Sequence, residues 1–194
     1  MAPQYLIGYG TLLLRASLGT SIGQGKAAEK AMLPVVVEGY RRVFNIRPDH
    51  YTPSKKLMRG EEAAAMNVEE AAGQRVNGVA FTTTLEDLAA LDQREACYER
   101  HVVAVRAFED GSVLGEGHIY VGCEPWITRD PDRLMPLWRD VVWGRTGAYQ
   151  LSEAFGAFFD ETTFLGDGTT RVLDVYRDLL ADTSDVPPPP PPDR

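Results

Sequence analysis

The sequence predicts an α+β protein built on a mixed, largely antiparallel, barrel-like β-sheet with flanking helices. Two observations support this prediction. Segments rich in β-branched and aromatic residues lie within the first 121 positions, and helical patterns dominate the rest. No internal repeat or linker divides them, and 194 residues with 44% hydrophobic composition suit one domain. We therefore expect a single domain over residues 1–181, with a core over 4–122 and a helical extension over 126–181.

Six segments are expected to form the strands, because each is β-branched, aromatic or alternating in polarity. They are Gln4–Gly8, Pro34–Ile46, Ala64–Glu69, Val76–Thr84, His101–Phe108 and Val113–Val121. The Gly111-Ser112 pair between the last two is typical of a tight turn, which predicts a hairpin. The stretch Arg47–Gly60 is rich in Pro, Lys and Arg and is expected to be a loop.

Helices are expected before the fifth strand and after the sixth. Thr83 and Glu86 have the spacing of a capping box in front of an apolar run, which predicts a helix between strands. Further helices are expected over about Pro131–Trp143, Ser152–Asp160 and Thr170–Ala181. Six consecutive prolines then fall within residues 182–194, which favours a disordered tail.

The composition argues against several classes of function. Asp and Glu outnumber Lys and Arg by 28 to 20, and a net charge of −8 disfavours nucleic acid as a partner. No apolar run reaches the roughly 18 residues of a membrane span, so no membrane partner is expected. Two cysteines and three scattered histidines offer no metal-ligand spacing, so no metal is expected. The chain has neither a Walker phosphate loop nor a Gly-x-Ser-x-Gly elbow.

The apolar N-terminal run is interpreted as the first strand rather than a signal peptide. It has no basic residue before Arg15, and Gly8 and Gly10 interrupt it. A cytoplasmic location is therefore expected. Gly10 would let the backbone turn sharply and approach a ligand closely. The amides of residues 9–12 could then hold a carboxylate or an oxyanion, although an ordinary turn would also explain the glycine.

The predicted helix after Thr84 places a carboxylate on its apolar side. Leu88 and Glu95 are seven residues apart and nearly eclipsed, so Glu95 projects from the stripe that faces the core. A carboxylate there is partly desolvated, which should raise its pKa and suits a general acid/base. Asp92 lies on the flank of the same face and is a second candidate. Alternatively, both carboxylates form caps or ion pairs, for example with Arg94, Arg100 or Arg106.

Motifs in a fixed order over residues 5–121 carry a resemblance to a known family. They are Tyr9-Gly10-Thr11-Leu12, the Gly39-aromatic-x-x-x-Phe44 strand, Gly78-Val-Ala-Phe81, and Leu91-Asp92-x-x-Glu95 followed by Tyr98-x-Arg100. With them the sequence resembles the γ-glutamylcyclotransferase-like (AIG2-like) family. Two departures stand out, because Ala96 replaces the glycine that usually follows the catalytic glutamate and residues 125–140 contain no tyrosine.

The resemblance implies an enzyme that cleaves a γ-glutamyl amide without water. The α-amine of the substrate attacks its own γ-carbonyl, releasing 5-oxoproline and an amine, with Glu95 as the general acid/base. No metal or cofactor is implied, and the partner is a small γ-glutamyl molecule bound by a monomer or homodimer. The loop at Gly8, Tyr9, Gly10, Thr11 and Leu12 would bind the substrate. Arg42, Tyr98 and Tyr120 are possible pocket residues.

Two other readings stay open at the level of sequence. Ala96 and the missing tyrosine are compatible with a non-catalytic small-molecule-binding or interaction protein of the same fold. A related acyl-transfer step would use the same site with a different acceptor. The leaving amine is left open, because it depends on the loops at 13–33 and 47–63. Lys55, Lys56 and Arg59 in the second loop are expected to be solvated, or else to attract an anionic leaving group.

Overall fold

Five strands form a closed mixed barrel at the centre of the protein. The structure is a computed structural model that describes residues 4–47, 62–130 and 134–181. The barrel strands are β1 (Gln4–Gly8), β2 (Leu33–Ile46), β3 (Glu62–Thr83), β4 (Tyr98–Ala107) and β5 (Val113–Gly122). They run in the order β3-β1-β5-β4-β2, and pairing of β2 with β3 closes the ring. Only β1 and β5 are parallel within it, so the predicted α+β fold with a barrel-like sheet is confirmed.

Two short strands extend the barrel at its edges. They are β6 (Leu134–Pro136), parallel to β3, and β7 (Thr163–Phe164), parallel to β2. Buried side chains from alternate strand positions, such as Leu6, Phe44 and Ile119, fill the barrel. This packing makes the end of β1 a rigid base for the loop that follows it.

The strand β3 is continuous, where the sequence predicted two separate strands. Both halves of β3 pair with β2, since Glu70 lies opposite Tyr40 and Arg75 opposite Glu38, and residues 71–74 between them bulge opposite Gly39. Gly39 has a φ of +82°, which favours glycine. The prediction of two strands was wrong because both segments pair with the same long neighbour and a bulge joins them without ending the strand. The predicted β4–β5 hairpin is confirmed, with Gly111 at φ +69° in its turn.

Helices cover the barrel on several sides. They are α1 (Arg15–Ile22), α2 (Gln24–Glu29), α3 (Leu85–Arg94), α4 (Trp138–Leu151), α5 (Glu153–Glu161) and α6 (Val172–Ala181), and a 3₁₀ turn spans Thr11–Leu13. The helices α1 and α2 lie where the sequence predicted only a loop. The helix α4 begins at Trp138 rather than near Pro131.

A capping box begins α3, one residue later than predicted. Thr84 Oγ1 accepts a hydrogen bond from the Asp87 N–H at 3.1 Å, and Asp87 Oδ2 accepts one from the Thr84 N–H at 3.3 Å. Lys30 Nζ lies 2.9 Å from the same carboxylate. The prediction of Thr83 and Glu86 was wrong by one position, because Glu86 is solvent-exposed and Asp87 is buried.

Some predictions fall on residues outside the described part of the chain. They concern the tail at 182–194 and the loop positions Lys55, Lys56 and Arg59. Among the helices of the described residues, none has both the length and the apolar character needed to cross a membrane.

Candidate functional site

A cavity of about 440 Å³ lies where the barrel, the end of α3 and the start of α4 meet. Its volume is in the range of small-molecule sites. The lining residues that bear on its chemistry are Gly8, Tyr9, Gly10, Thr11, Leu12, Arg94, Glu95, Tyr98, Tyr120, Arg139, Asp140 and Trp143. The structure therefore brings the predicted loop, Glu95 and both predicted strand tyrosines to one place.

The loop after β1 contributes backbone amides to the cavity wall. A Cβ on Gly8 would come 2.6 Å from the Leu12 Cβ, so a side chain at Gly8 does not fit the loop as it stands. Within the described residues, the N–H groups of Gly10, Thr11 and Leu12 have no hydrogen-bond acceptor. These amides can therefore donate to a bound ligand.

Glu95 ends α3 at the edge of the cavity. It is the C-cap residue, and the buried Leu88 and Leu91 hold the preceding turns against the core. Its side chain is 20% exposed, and Oε1 lies 3.3 Å from Arg94 Nε. A half-buried carboxylate that opens into a cavity is well placed to exchange a proton with a ligand.

Asp92 is the other carboxylate that the helical spacing nominated, and it does not line the cavity. Its Oδ1 accepts a hydrogen bond from the Tyr120 hydroxyl at 2.7 Å and lies 3.3 Å from Arg100 Nε. The cap or ion-pair interpretation thus describes both carboxylates, because Glu95 is the C-cap residue and pairs with Arg94. The difference is that Glu95 lines the cavity, whereas Asp92 orients Tyr120 from outside it.

Three tyrosines form a rigid wall of the cavity. The Tyr9 hydroxyl donates to the Tyr120 carbonyl at 2.8 Å, and the Tyr98 hydroxyl donates to the Met66 carbonyl at 2.7 Å. Burial raises the pKa of Tyr9 and Tyr98, and the nearby negative charge of Glu95 adds to the effect. Burial and the hydrogen bond to the Asp92 carboxylate likewise raise the pKa of Tyr120. These phenols stay protonated and shape the cavity rather than act as bases.

The first turns of α4 supply a wall that the sequence analysis missed. Arg139 Nη2 lies 2.9 Å from Asp140 Oδ1, and the guanidinium stacks 5.0 Å from the Trp143 ring centroid. Asp140 is only 7% exposed. The sequence held a signal, because Asp140 lies three residues before Trp143 and therefore shares a helix face with a large apolar side chain.

Two glycines let α4 approach the loop closely. A Cβ on Gly147 would lie 2.5 Å from the Leu13 carbonyl carbon, and one on Gly144 would lie 3.5 Å from the Gly10 carbonyl oxygen. The loop is therefore packed between the barrel and α4.

Arg42 lies behind the loop instead of in the cavity. It is fully buried, and its Nε donates to the Tyr9 carbonyl at 2.9 Å. The sequence suggested it as a possible pocket residue, but it is not among the lining residues. The loop after β1 lies between Arg42 and the cavity.

Over residues 4–47, 62–130 and 134–181, no three His, Cys, Asp or Glu side chains are grouped in a way that could hold a metal ion. The groups available to a ligand are the loop amides, two carboxylates and two guanidiniums.

A family model described as gamma-glutamyl cyclotransferase, AIG2-like, matches residues 6–140. The matched range starts in β1 and ends in the first turn of α4, so it includes the loop and Glu95. A search of curated proteins gave no match.

Solved structures share the fold at low sequence identity. The crystal structure of an uncharacterized protein from Homo sapiens has a TM-score of 0.59 and 14% identity, over 94% of this chain and 100% of that chain. A structure named gamma-glutamyl cyclotransferase has a TM-score of 0.57 and 14% identity, over 92% and 98%. YkqA from Bacillus subtilis has a TM-score of 0.57 and 18% identity, over 81% and 52%.

Proposed function

The chain belongs to the gamma-glutamyl cyclotransferase, AIG2-like family, and from this premise we propose that it cleaves a γ-glutamyl amide and releases 5-oxoproline. One observation carries the proposal. A half-buried glutamate, Glu95, shares a small-molecule cavity with the unpaired amides of Gly10, Thr11 and Leu12. This places a proton-transfer group beside donors suited to a carboxylate or an oxyanion.

In the proposed reaction the substrate supplies its own nucleophile. Glu95 takes a proton from the α-ammonium, and the freed amine attacks the γ-carbonyl carbon to form the ring C–N bond. The amide C–N bond then breaks as Glu95 returns the proton to the departing nitrogen. The ring nitrogen releases its second proton, so the amine product leaves as an ammonium ion, and no water is consumed. Because the nucleophile is tethered, the protein mainly fixes one conformer and assists proton transfer from one nitrogen to the other.

The loop would hold the negative charges of the substrate. The Gly10, Thr11 and Leu12 amides would bind either the α-carboxylate or the oxyanion that develops on the γ-carbonyl, and the Thr11 hydroxyl can add a donor. Arg94 Nε lies 3.3 Å from Oε1 of the Glu95 carboxylate that would accept the proton.

The leaving amine would lie toward α4. Arg139, Asp140 and Trp143 present a cation, an anion and a ring there, so this wall can discriminate between leaving groups by charge. The test is a panel of γ-glutamyl dipeptides, glutathione and γ-glutamyl-lysine, with 5-oxoproline as the measured product.

The decisive variant is Glu95→Gln, which keeps the size of the side chain and removes its basicity. We predict that it lowers the rate of 5-oxoproline formation by about 10²–10⁴. The matched control is Glu86→Gln on the same helix, because the Glu86 side chain is 86% exposed and lies outside the cavity. Full activity in Glu95→Gln would contradict the assignment.

The alternative is a binding protein of the same fold without turnover, and Ala96 after Glu95 is the feature that favours it. It predicts that γ-glutamyl ligands bind, that no 5-oxoproline forms, and that Glu95→Gln changes little. A cytoplasmic location and a monomeric or homodimeric state also stay predictions.

A further inference from the structure

Arg42 is a buried cation that forms no ion pair within the described residues. Its side chain is fully buried, and within the described residues no carboxylate lies at ion-pair distance from it. Every hydrogen bond it donates goes to a neutral oxygen, on Tyr9, Asn77, Thr162 or Thr163. Its guanidinium carbon lies 4.1 Å from the Phe159 ring centroid. The negative charge of Asp160 acts on Arg42 from beyond ion-pair distance, and that carboxylate is shared with Arg145, whose Nε lies 2.9 Å from Asp160 Oδ1. The buried cation is therefore only partly compensated, which is costly.

The contact to Tyr9 gives Arg42 an orienting role. Its Nε donates to the Tyr9 carbonyl at 2.9 Å, and the Tyr9–Gly10 peptide is trans. In a trans peptide the carbonyl and the following N–H point in opposite directions. With the carbonyl held toward the buried guanidinium, the Gly10 N–H points away from it, on the side where Gly10 lines the cavity.

The charge of Arg42 also acts through that peptide. A cation hydrogen-bonded to a carbonyl polarises the peptide unit and makes its N–H a stronger donor. An anion bound at the loop therefore gains from the Gly10 N–H and from the positive charge behind it. In return, the anion adds its negative charge to that of Asp160 in the surroundings of Arg42.

We propose that Arg42 is a positioning residue that aims the Gly10 N–H into the cavity and whose charge is balanced when the loop binds an anionic group of the ligand. The anion is either a carboxylate or a developing oxyanion. This inference rests on the proposed function for its kinetic test, and a separate binding test does not depend on turnover.

The kinetic test compares Arg42→Lys with Thr163→Val. Lysine keeps the positive charge but lacks the planar guanidinium group. Thr163→Val instead removes the hydroxyl that accepts a hydrogen bond from Arg42 Nη1 and leaves the contact from Nε to Tyr9 in place. Both variants are first checked for folding by circular dichroism. We expect Arg42→Lys to lower kcat/KM for γ-glutamyl-alanine by on the order of 10–100-fold. We expect Thr163→Val to stay within about twofold of the unmodified protein, because the Tyr9 contact remains.

The same measurement identifies the anion. If the loop binds the α-carboxylate, Arg42→Lys raises KM for γ-glutamyl-alanine and has little effect on the analogue with an α-carboxamide. If the loop binds the oxyanion, kcat falls equally for both substrates. Either pattern supports the inference, whereas a folded Arg42→Lys protein with unchanged kcat and KM overturns it.

The binding test follows the Gly10 amide by nuclear magnetic resonance during titration with 5-oxoproline and with acetate. We expect its signal to move in the unmodified protein and to move much less in Arg42→Lys. No movement in the unmodified protein overturns the inference. Movement with acetate but no turnover of any γ-glutamyl amide supports the role of Arg42 and contradicts the proposed function.

If Arg42→Lys does not fold, Asn77→Asp replaces it as the test variant. It places a carboxylate against the Arg42 guanidinium, since Asn77 Oδ1 already lies 2.9 Å from Nη2. An internal counter-charge should weaken the response of the Gly10 amide to acetate at least severalfold. Asn77→Ala is the control, because both variants lose the hydrogen bond from Asn77 Nδ2 to the Phe155 carbonyl and only Asn77→Asp adds a charge. An equal response in both variants contradicts the inference.

Discussion

Gly8 controls the shape of the loop that lines the cavity. A methyl group there would come 2.6 Å from the Leu12 Cβ, too close for real atoms. We predict that Gly8→Ala displaces the loop, lowers the free energy of unfolding by about 1–3 kcal/mol and reduces 5-oxoproline formation. Chemical denaturation and the product assay measure the two effects.

Gly25 provides the matched control for this substitution. A Cβ on Gly25 meets nothing within 4 Å, and the residue lies inside α2. Gly25→Ala should therefore stabilise the protein by about 0.5–1 kcal/mol and leave activity unchanged. If Gly8→Ala behaves like Gly25→Ala, the loop is not constrained at Gly8.

Neighbouring residues separate the roles of two similar carboxylates. Glu95 and Asp92 lie three residues apart on one side of the helical stripe, so helical spacing nominates both. Glu95 opens into the cavity, whereas Asp92 is held by Tyr120 and Arg100. The sequence could not distinguish the two roles, because the residues that bind the Asp92 carboxylate come from β4 and β5. Pairing across strands is set by the sheet register, which no local spacing encodes.

The helix α3 positions Glu95 through its first turn. Its capping box and the ion pair from Lys30 to Asp87 fix the start of the helix. Because Glu95 is the C-cap residue, the position of the helix also sets the position of Glu95. Burial tends to raise the pKa of Asp87, but hydrogen bonds from Lys30 and the Thr84 N–H, with the charges of Lys30 and Lys26, lower it overall. This carboxylate therefore stabilises the folded state while it is ionised.

The stabilising contribution of Asp87 should depend on pH. A depressed pKa in the folded state means that the stabilisation is present above the ordinary value of 3.8 and is lost as the pH falls through the folded value. Asp87→Asn should therefore have a lower free energy of unfolding than the unmodified protein at pH 7. This difference should disappear as the pH falls below 3.8. Urea denaturation across this range measures it. Thr84→Ala is the control, with a deficit of about 1 kcal/mol that changes little with pH. A pH-independent deficit for Asp87→Asn would contradict the assignment.

Elements with a strong local signal could be predicted from the sequence, and those that depend on distant partners could not. The β4–β5 hairpin has a glycine turn, and α3 has a capping pattern and an apolar stripe. The helices α1 and α2 lack such signals. The apolar and polar residues of α1 are not segregated into faces, so its place is set by packing against its neighbours. The continuity of β3 likewise depends on pairing with β2.

At the scale of the whole molecule, the barrel and the C-terminal helices are joined by buried polar contacts. Asn77 Nδ2 in β3 donates to the Phe155 carbonyl in α5 at 2.8 Å, and Arg42 in β2 donates to Thr163 in β7 at 3.1 Å. The loop after β1 also packs against α4 through Gly147. Separating the two parts would leave buried polar groups without partners, which is costly.

We therefore predict one cooperative unfolding transition. Far-ultraviolet circular dichroism reports the barrel and the helices, while tryptophan fluorescence reports Trp138 and Trp143 in α4 and Trp126 in the segment after β5. The two signals should give the same midpoint in guanidinium chloride. Two separate midpoints would contradict the single domain over 1–181 that the sequence predicts.

The walls of the cavity come from two different stretches of chain. The amides and Glu95 belong to the barrel side, whereas Arg139, Asp140 and Trp143 belong to the first turns of α4. Under the proposed function, the chemistry and the selectivity for the leaving amine are therefore carried by separately replaceable parts. A short series of substitutions along one helix could redirect the enzyme to a different amine while the proton-transfer apparatus is inherited unchanged. Such modularity suits a scaffold that must acquire new substrates without reinventing its reaction.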